Sequence, residues 1–512
     1  MIMQRIKPLA TILAEGSNQE RGLRRSLGPW QLTAMGIGAI IGTGIFVLIG
    51  VATATRSGPS IMISFVVAAI VSALAALCYA EVSSKIPISG SAYTYTYATL
   101  GEFLAWIIGW DLILEYALGA ATVSIGWSGY FVNITNTLGW HIPAQWANGP
   151  TWGLTGQGAS GYANIPAAII ILIITALLVR GTKESGTVNA VIVAVKISIV
   201  LFFIIIGLGH IHMSNFNLPP HALPTGGGLD KGGFFPFGVG GMLGGAALIF
   251  FAYIGFDAVS TTAEEARDPR RDLPFGIIAS LAICTVLYIA VAFVLNGVVP
   301  YYSLLNALSF PVAYAAAHMG LSWGSTASVI ISFGAIAGLT TVLLVMMFGQ
   351  SRIFFAMSRD GLVPPSFTRI HPTWRTPIYS TIFFGICIAL IAAFTPINIV
   401  GSLTNMGTLA AFVLVSIAVP RLRLQHPDLK GSFEVPGGPY VIPTLSALTA
   451  LGLMYYLRVG NPVIFGFFPI VWFWFIVWLI IGLVFYFAYG RRKSTVALQE
   501  AEGLAPAQPR VN

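Results

Sequence analysis

The chain has 512 residues, of which 56% are hydrophobic and only 9% charged, and its mean hydropathy is +0.82. Soluble domains carry roughly 45–50% apolar and about 25% charged residues, so a water-soluble protein is excluded and an all-α polytopic membrane protein is expected. The net charge of +8 lies in short loops beside apolar runs rather than on one face, which argues against nucleic acid and for the lipid bilayer as partner.

Residues 1–29 are polar and basic and read as a cytoplasmic N-terminal segment with no cleavable leader apparent. Apolar stretches then predict twelve transmembrane helices, at 30–55, 61–84, 103–131, 165–181, 187–209, 242–265, 276–297, 325–357, 378–394, 398–419, 442–458 and 466–489. The first contains Gly36-Ile37-Gly38-Ala39-Ile40-Ile41-Gly42-Thr43-Gly44, with helix-weakening glycines at its middle. On the third, Asp111 and Glu115 lie four residues apart and share a face. Such a face suits a watery inner vestibule, with Glu115 acting on cations or protons, or else held in a structural ion pair.

The fifth span carries Lys196, about 14 Å along a helix from Thr187 at roughly 1.5 Å per residue. A mid-membrane charge costs at least about 2.5–3.5 kcal/mol, so its ammonium must find partners inside the bundle. Burial disfavours the charged form and nearby carbonyls favour it, so rocking helices would alternate its affinity for a proton. A permanently charged structural lysine is the alternative. One proton crossing 100 mV supplies about 2.3 kcal/mol, enough to sustain a solute gradient of order 40-fold.

The sixth span is interrupted at Phe250-Phe251-Ala252-Tyr253-Ile254-Gly255-Phe256-Asp257. Asp257 either tethers the unwound segment or touches solute. Beyond it, Glu264, Glu265, Arg267, Asp268 and Arg270 form an inner charge cluster, read as a gate-side ion-pair network or a solvated loop. The polar tail, 490–512, reads as cytoplasmic.

Orientation follows from the basic residues. With the N-terminus inside, 22 of the 26 lysines and arginines fall in inner segments; Arg56, Lys231 and Arg458 lie outside, and Lys196 lies within a span. This alternation supports twelve spans, both termini cytoplasmic, in a plasma (inner) membrane. Breaks in spans one and six mark two five-helix units, 30–209 and 242–419. Because five is odd, the second inserts inverted relative to the first. The helices at 442–489 then stand outside the repeat.

Paired interrupted helices at matching places in two halves point to a transporter's solute site. An unwound midpoint offers free amides with partial positive charge, facing free carbonyls. Gly42, Thr43 and Gly44 supply small backbone for an anion, and carbonyls around Phe251, Ala252 and Ile254 accept from an ammonium. Together they form a receptor for an amino acid. Taken alone, the first motif could merely permit tight helix packing.

These residues carry a family resemblance. Residues 36–46 resemble the first-helix signature of the amino acid–polyamine–organocation superfamily. Ser89-Gly90-Ser91-Ala92-Tyr93-Thr94-Tyr95 and Trp110-Asp111-Leu112-Ile113-Leu114-Glu115-Tyr116 are similar to its later motifs. Residues 251–257 with Glu264-Glu265, and the stretch 352–361, resemble its cationic amino acid transporter branch. The resemblance implies a LeuT-type fold, a 5+5 inverted repeat plus two C-terminal helices, working by alternating access. It implies carboxylate binding at Thr43 and Gly44, amine binding at Ile40 and the sixth-helix carbonyls, and an aromatic gate at Phe251. Lys196 matches a proton-coupling lysine, with Gly38, Thr340 and Thr341 as its neighbours.

The expected function is therefore secondary active amino acid transport, with proton-coupled symport ahead of exchange on the same fold. A membrane sensor without flux is a further alternative. No cofactor or metal is expected. Cys78, Cys284 and Cys387 sit in apolar runs, and the seven histidines lie in loops or at span ends, which argues against an enzyme. The sequence carries no signal for an oligomeric partner or for which amino acid side chain is carried.

Overall fold

The computed structural model describes residues 5–7, 27–86, 91–152, 160–181, 186–222, 229–257, 259, 266–371, 374, 376–429, 431–464 and 468–501. The described chain is mostly helical, with a two-stranded β-pairing between Val463–Ile464 and Phe468–Pro469. A helix occupies each predicted interval. They are α1 (Pro29–Ile40), α2 (Ile61–Lys85), α3 (Glu102–Thr137), α4 (Ile165–Arg180), α5 (Gly186–Leu208) and α6 (Gly238–Ile249). Then follow α7 (Pro269–Val298), α8 (Gly324–Arg359), α9 (Ile378–Phe394), α10 (Ile397–Gln425), α11 (Val441–Tyr456) and α12 (Ile470–Phe485).

Among the described residues, seven helical stretches are long and apolar enough to cross a membrane, the longest being Gly44–Lys85. Four more, Ile165–Arg180, Gly238–Tyr253, Ile378–Phe394 and Val441–Tyr456, are shorter but apolar. The inner charge cluster falls partly outside the described residues, which include neither Glu264 nor Glu265.

Lipid gives two apolar helices no reason to associate, so close approach and buried polar bonds decide which ones pack. Two groups result. In the first, α7 packs on α1 and α2, and α6 on α2; in the second, α3, α4, α8 and α9 pack mutually, while α10 lies along α3. Within them, side chains sit on glycine surfaces: Tyr116 of α3 on Gly349 of α8, and Thr175 of α4 on Gly385 of α9. The opposite faces carry exposed Ile169, Leu172 and Ile173 on α4 and Val191, Leu201 and Ile205 on α5, as lipid contact requires.

Two polar hubs tie elements together beyond this packing. Glu81 of α2 is fully buried and accepts from Arg423 of α10 through both oxygens, at 2.6 and 2.7 Å. It also takes Lys85 Nζ at 2.9 Å and the Val435 amide at 2.8 Å. The second hub is Glu102, the first residue of α3, which accepts from Tyr486 and Ser494 at 3.0 and 2.7 Å. Arg5 pairs with Glu102 at 3.7 Å, and Lys7 bonds Asp360 at 3.0 Å, so residues 5–7 lie across the ends of α3 and α8.

The last helix is sewn to α3 by indoles. Trp110 Nε1 donates to the Trp478 carbonyl at 2.8 Å, Trp478 Nε1 returns a bond to the Trp110 carbonyl at 3.1 Å, and Trp106 Nε1 donates to Gly482 at 3.0 Å. The Trp110 and Trp478 rings stack at 4.5 Å.

Removing one member of a buried charge cluster leaves the others uncompensated. Glu81→Ala is therefore expected to cost about 3–5 kcal/mol of stability, read as a lowered melting temperature of the purified protein.

Candidate functional site

The first span breaks where its glycines cluster. Pro29 opens α1 and the helix ends at Ile40; Ile41 is then extended, with ψ +99°. The chain resumes at Thr43 and continues as a π-type turn over Gly44–Leu48, in which the Ile49 amide reaches back to the Gly44 carbonyl. Such turns recur at functional sites in otherwise regular helices.

The carbonyls freed here are satisfied from neighbouring helices. Tyr288 of α7 donates to the Ile40 carbonyl at 2.9 Å and Tyr130 of α3 to the Phe46 carbonyl at 2.6 Å. The amides of Gly42, Thr43 and Gly44 make no backbone hydrogen bond outside the helical ladders among the described residues. The Thr43 hydroxyl is buried without a partner.

The sixth span breaks in a complementary way. From α6 the chain tightens into a 3₁₀ turn, Phe250–Tyr253, then Ile254 turns extended at ψ +136°. Gly255 takes φ +115°, which only glycine adopts without strain. Asn405 of α10 donates its single amide nitrogen to the carbonyls of Ala247 and Leu248, each at 2.8 Å, and so closes the end of α6. The Phe251 carbonyl accepts from the Ile254 amide at 3.2 Å.

The two breaks lie back to back. A Cβ added to Gly44 would stand 2.2 Å from the Cα of Ala252, and one on Gly255 would stand 2.9 Å from the carbonyl of Ala39. Only glycine permits either approach. Ile40, Gly42, Thr43, Gly44, Phe251, Ala252 and Ile254 are all buried around this crossing. Thr43 packs against Gly126 of α3, and Gly42 against Val342 of α8, so the second helix group walls the breaks.

Lys196 reaches the same region from α5. It is 1% exposed, and its ammonium donates to the Gly38 carbonyl at 2.6 Å. Its stem lies on Gly338 of α8, where a Cβ would meet Lys196 Cγ at 3.1 Å. The threonines expected beside it bond to α3 and within α8. Thr340 bonds Trp127 of α3 at 3.0 Å, and Thr341 donates to the Gly338 carbonyl at 2.8 Å. The lysine thus bridges the α1 break to α8 through a glycine surface, with the Cys284 thiol of α7 within electrostatic reach.

The carboxylates lie apart from that lysine. Asp111 and Glu115 are 2% and 4% exposed, so in this conformation both are buried inside the bundle. Glu115 lies near Thr408, whose hydroxyl donates to the Thr404 carbonyl at 3.1 Å, and within electrostatic reach of Asp257 and Asp111. Asp111 packs on Gly407 of α10. Asp257 follows the sixth-span break and is also buried.

Sequence reasoning missed the residues that satisfy the broken helices: Tyr130, Tyr288 and Asn405. Their signal was present, because a lone amide or phenol in an apolar span needs a partner.

The chain matches the model of the amino acid permease family over residues 27–496. It is 46% identical over 490 residues to the methylthioribose transporter of Bacillus subtilis (strain 168), covering 96% of this chain and 98% of that protein. The same figures hold for the branched-chain amino acid permease BcaP of that strain. Identity to the vacuolar cationic amino acid transporter 2 of Arabidopsis thaliana is 40% over 419 residues, covering 81% of this chain and 62% of that relative.

Replacing Asn405 by Ala strands two carbonyls of α6. The expected cost is about 1–3 kcal/mol, measurable as a fall in melting temperature that Asn405→Gln at least partly restores.

Proposed function

The chain belongs to the amino acid permease family, and on that premise we propose that it is a secondary active amino acid transporter driven by proton symport. Twelve membrane-spanning helices carry it, with both termini cytoplasmic and the units 30–209 and 242–419 as inverted repeats. The observation that supports this most directly is the meeting of two interrupted helices at Gly44 and Ala252, deep inside the protein. In lipid, unwound backbone persists only where it is buried in protein or lines a cavity, and here it presents free donors.

The amides of Gly42, Thr43 and Gly44, with the Thr43 hydroxyl, receive the substrate carboxylate. The carbonyls of Ile40, Phe251, Ala252 and Ile254 receive its ammonium. Phe251 closes over the solute. Side chains beside the break are apolar, including Val47 and Val342, so a neutral aliphatic side chain fits better than a distal cation. The name of the branched-chain permease, a relative matched along nearly its whole length, supports the same class.

Lys196 couples the cycle to protons. Its bond to the Gly38 carbonyl ties α5 to the break in the first span. Losing a proton weakens that tie, and moving α1 away from α5 alters the lysine's affinity for the proton. Glu115 and Asp257 act on gating from the far side of the site.

Reconstitution in liposomes with an imposed pH gradient tests this reading. Branched-chain amino acids should accumulate when the outside is acidic, and dependence on an internal counter-substrate instead would establish exchange. Lys196→Ala is expected to abolish the dependence of uptake on pH; an unchanged pH profile in that variant would overturn the lysine's role. Gly44→Ala forces the two breaks apart and is expected to lower uptake at least about tenfold, since every 1.4 kcal/mol of lost binding is a factor of ten.

A further inference from the structure

Arg56 is a cation without a counter-charge. It lies at the end of the first span's second half, in the turn Thr53–Ser57, and is 1% exposed. Its Nη1 donates to the Gly244 carbonyl of α6 at 3.2 Å. Its Nε and Nη2 are buried and have no hydrogen-bond partner among the described residues. One turn earlier, the Thr53 hydroxyl is likewise buried without a partner.

Among the described residues no carboxylate forms an ion pair with Arg56. The loops joining the spans at this end contain one acidic residue, Asp230. That carboxylate is already engaged by the amides of His221 and Gly232, at 3.0 and 2.8 Å, and by the Tyr301 hydroxyl. A buried charge left alone is costly, and unmet guanidinium donors add to the cost. The Gly460 backbone packs against them. Gly460 takes φ +73°, and a Cβ there would stand 2.7 Å from Arg56 Nε.

We propose that Arg56 is the centre of an anion site specific for a compact monovalent ion of the halide class. The Nε and Nη2 protons and the Thr53 hydroxyl donate to it, and glycine at 460 lets the loop backbone close over the guanidinium. The ion neutralises a charge shared by the first span, α6 and the loop after α11, and so locks these three elements together. The site stands at the end of the breaks' helices, away from the amides of Gly42–Gly44, and serves stability of one conformation rather than solute recognition.

The test is a melting curve of the purified full-length protein, followed by tryptophan fluorescence, with chloride or bromide titrated against gluconate at constant sodium and ionic strength. A saturable rise of several degrees is expected with either halide and none with gluconate. Arg56→Gln should abolish the rise and Arg56→Lys should weaken it. Should Arg56→Gln fail to fold, Thr53→Val supplies the second arm, with at least a threefold weaker apparent halide affinity. A wild-type melting temperature indifferent to halide would overturn the proposal. So would an undiminished halide response in Arg56→Gln or Thr53→Val, or a response to amino acids in place of halides that Arg56→Gln removes.

Discussion

Hydrocarbon offers a peptide group nothing to bond with, and that constraint governs the centre of this molecule. Breaking two helices in mid-span frees donors and acceptors that have to be met by protein or by solute. The protein meets them unevenly. Carbonyls of the breaks are largely taken, by Tyr288 at Ile40, Tyr130 at Phe46, Lys196 at Gly38 and Asn405 at Ala247 and Leu248. Among the described residues, the amides of Gly42–Gly44 make no bond outside the helical ladders and the Thr43 hydroxyl has no partner, so what remains is on the donor side. An anionic group therefore gains more from entering than a cationic one, which must share carbonyls already in use.

The partners that satisfy the breaks come from helices of different groups. Tyr288 belongs to α7, which packs with the first span, whereas Tyr130 belongs to α3 in the opposing set. Lys196 stands between, bonded to the first span and resting on α8. Any movement of one group against the other must stretch the Tyr130 bond while leaving Tyr288 undisturbed. The ends are tied differently: Glu81 holds α2 to α10 through a buried charge cluster.

The membrane class and the position of both interruptions were legible in the sequence, because glycine within an apolar run is a local signal. Lys196 was legible for the same reason, as an isolated charge. The side to which each helix turns its residues was not. A span that is apolar all round gives no moment to orient it, since lipid and neighbouring helices accept the same side chains. Hence Thr340 was expected beside Lys196, yet it faces Trp127 of α3. Hence also Asp111 and Glu115, correctly placed on one face, were expected near water, whereas they lie against Gly407 and Thr408 of α10. Depth and rotation depend on packing between distant segments, and glycine surfaces such as Gly407 and Gly338 declare themselves only once the helices are assembled.

The indole stitching between α3 and α12 bears on how such a protein can be watched at work. Trp110 and Trp478 each clasp the other's carbonyl, and Trp106 adds a third bond at Gly482, so the closing helix is bound to the same wall that faces the interrupted pair. A reporter dye attached near the C-terminus would travel with that wall and remain nearly blind to displacement within it. Paired with a second dye at the head of the first span, it becomes a fixed reference mark against which each stroke can be measured.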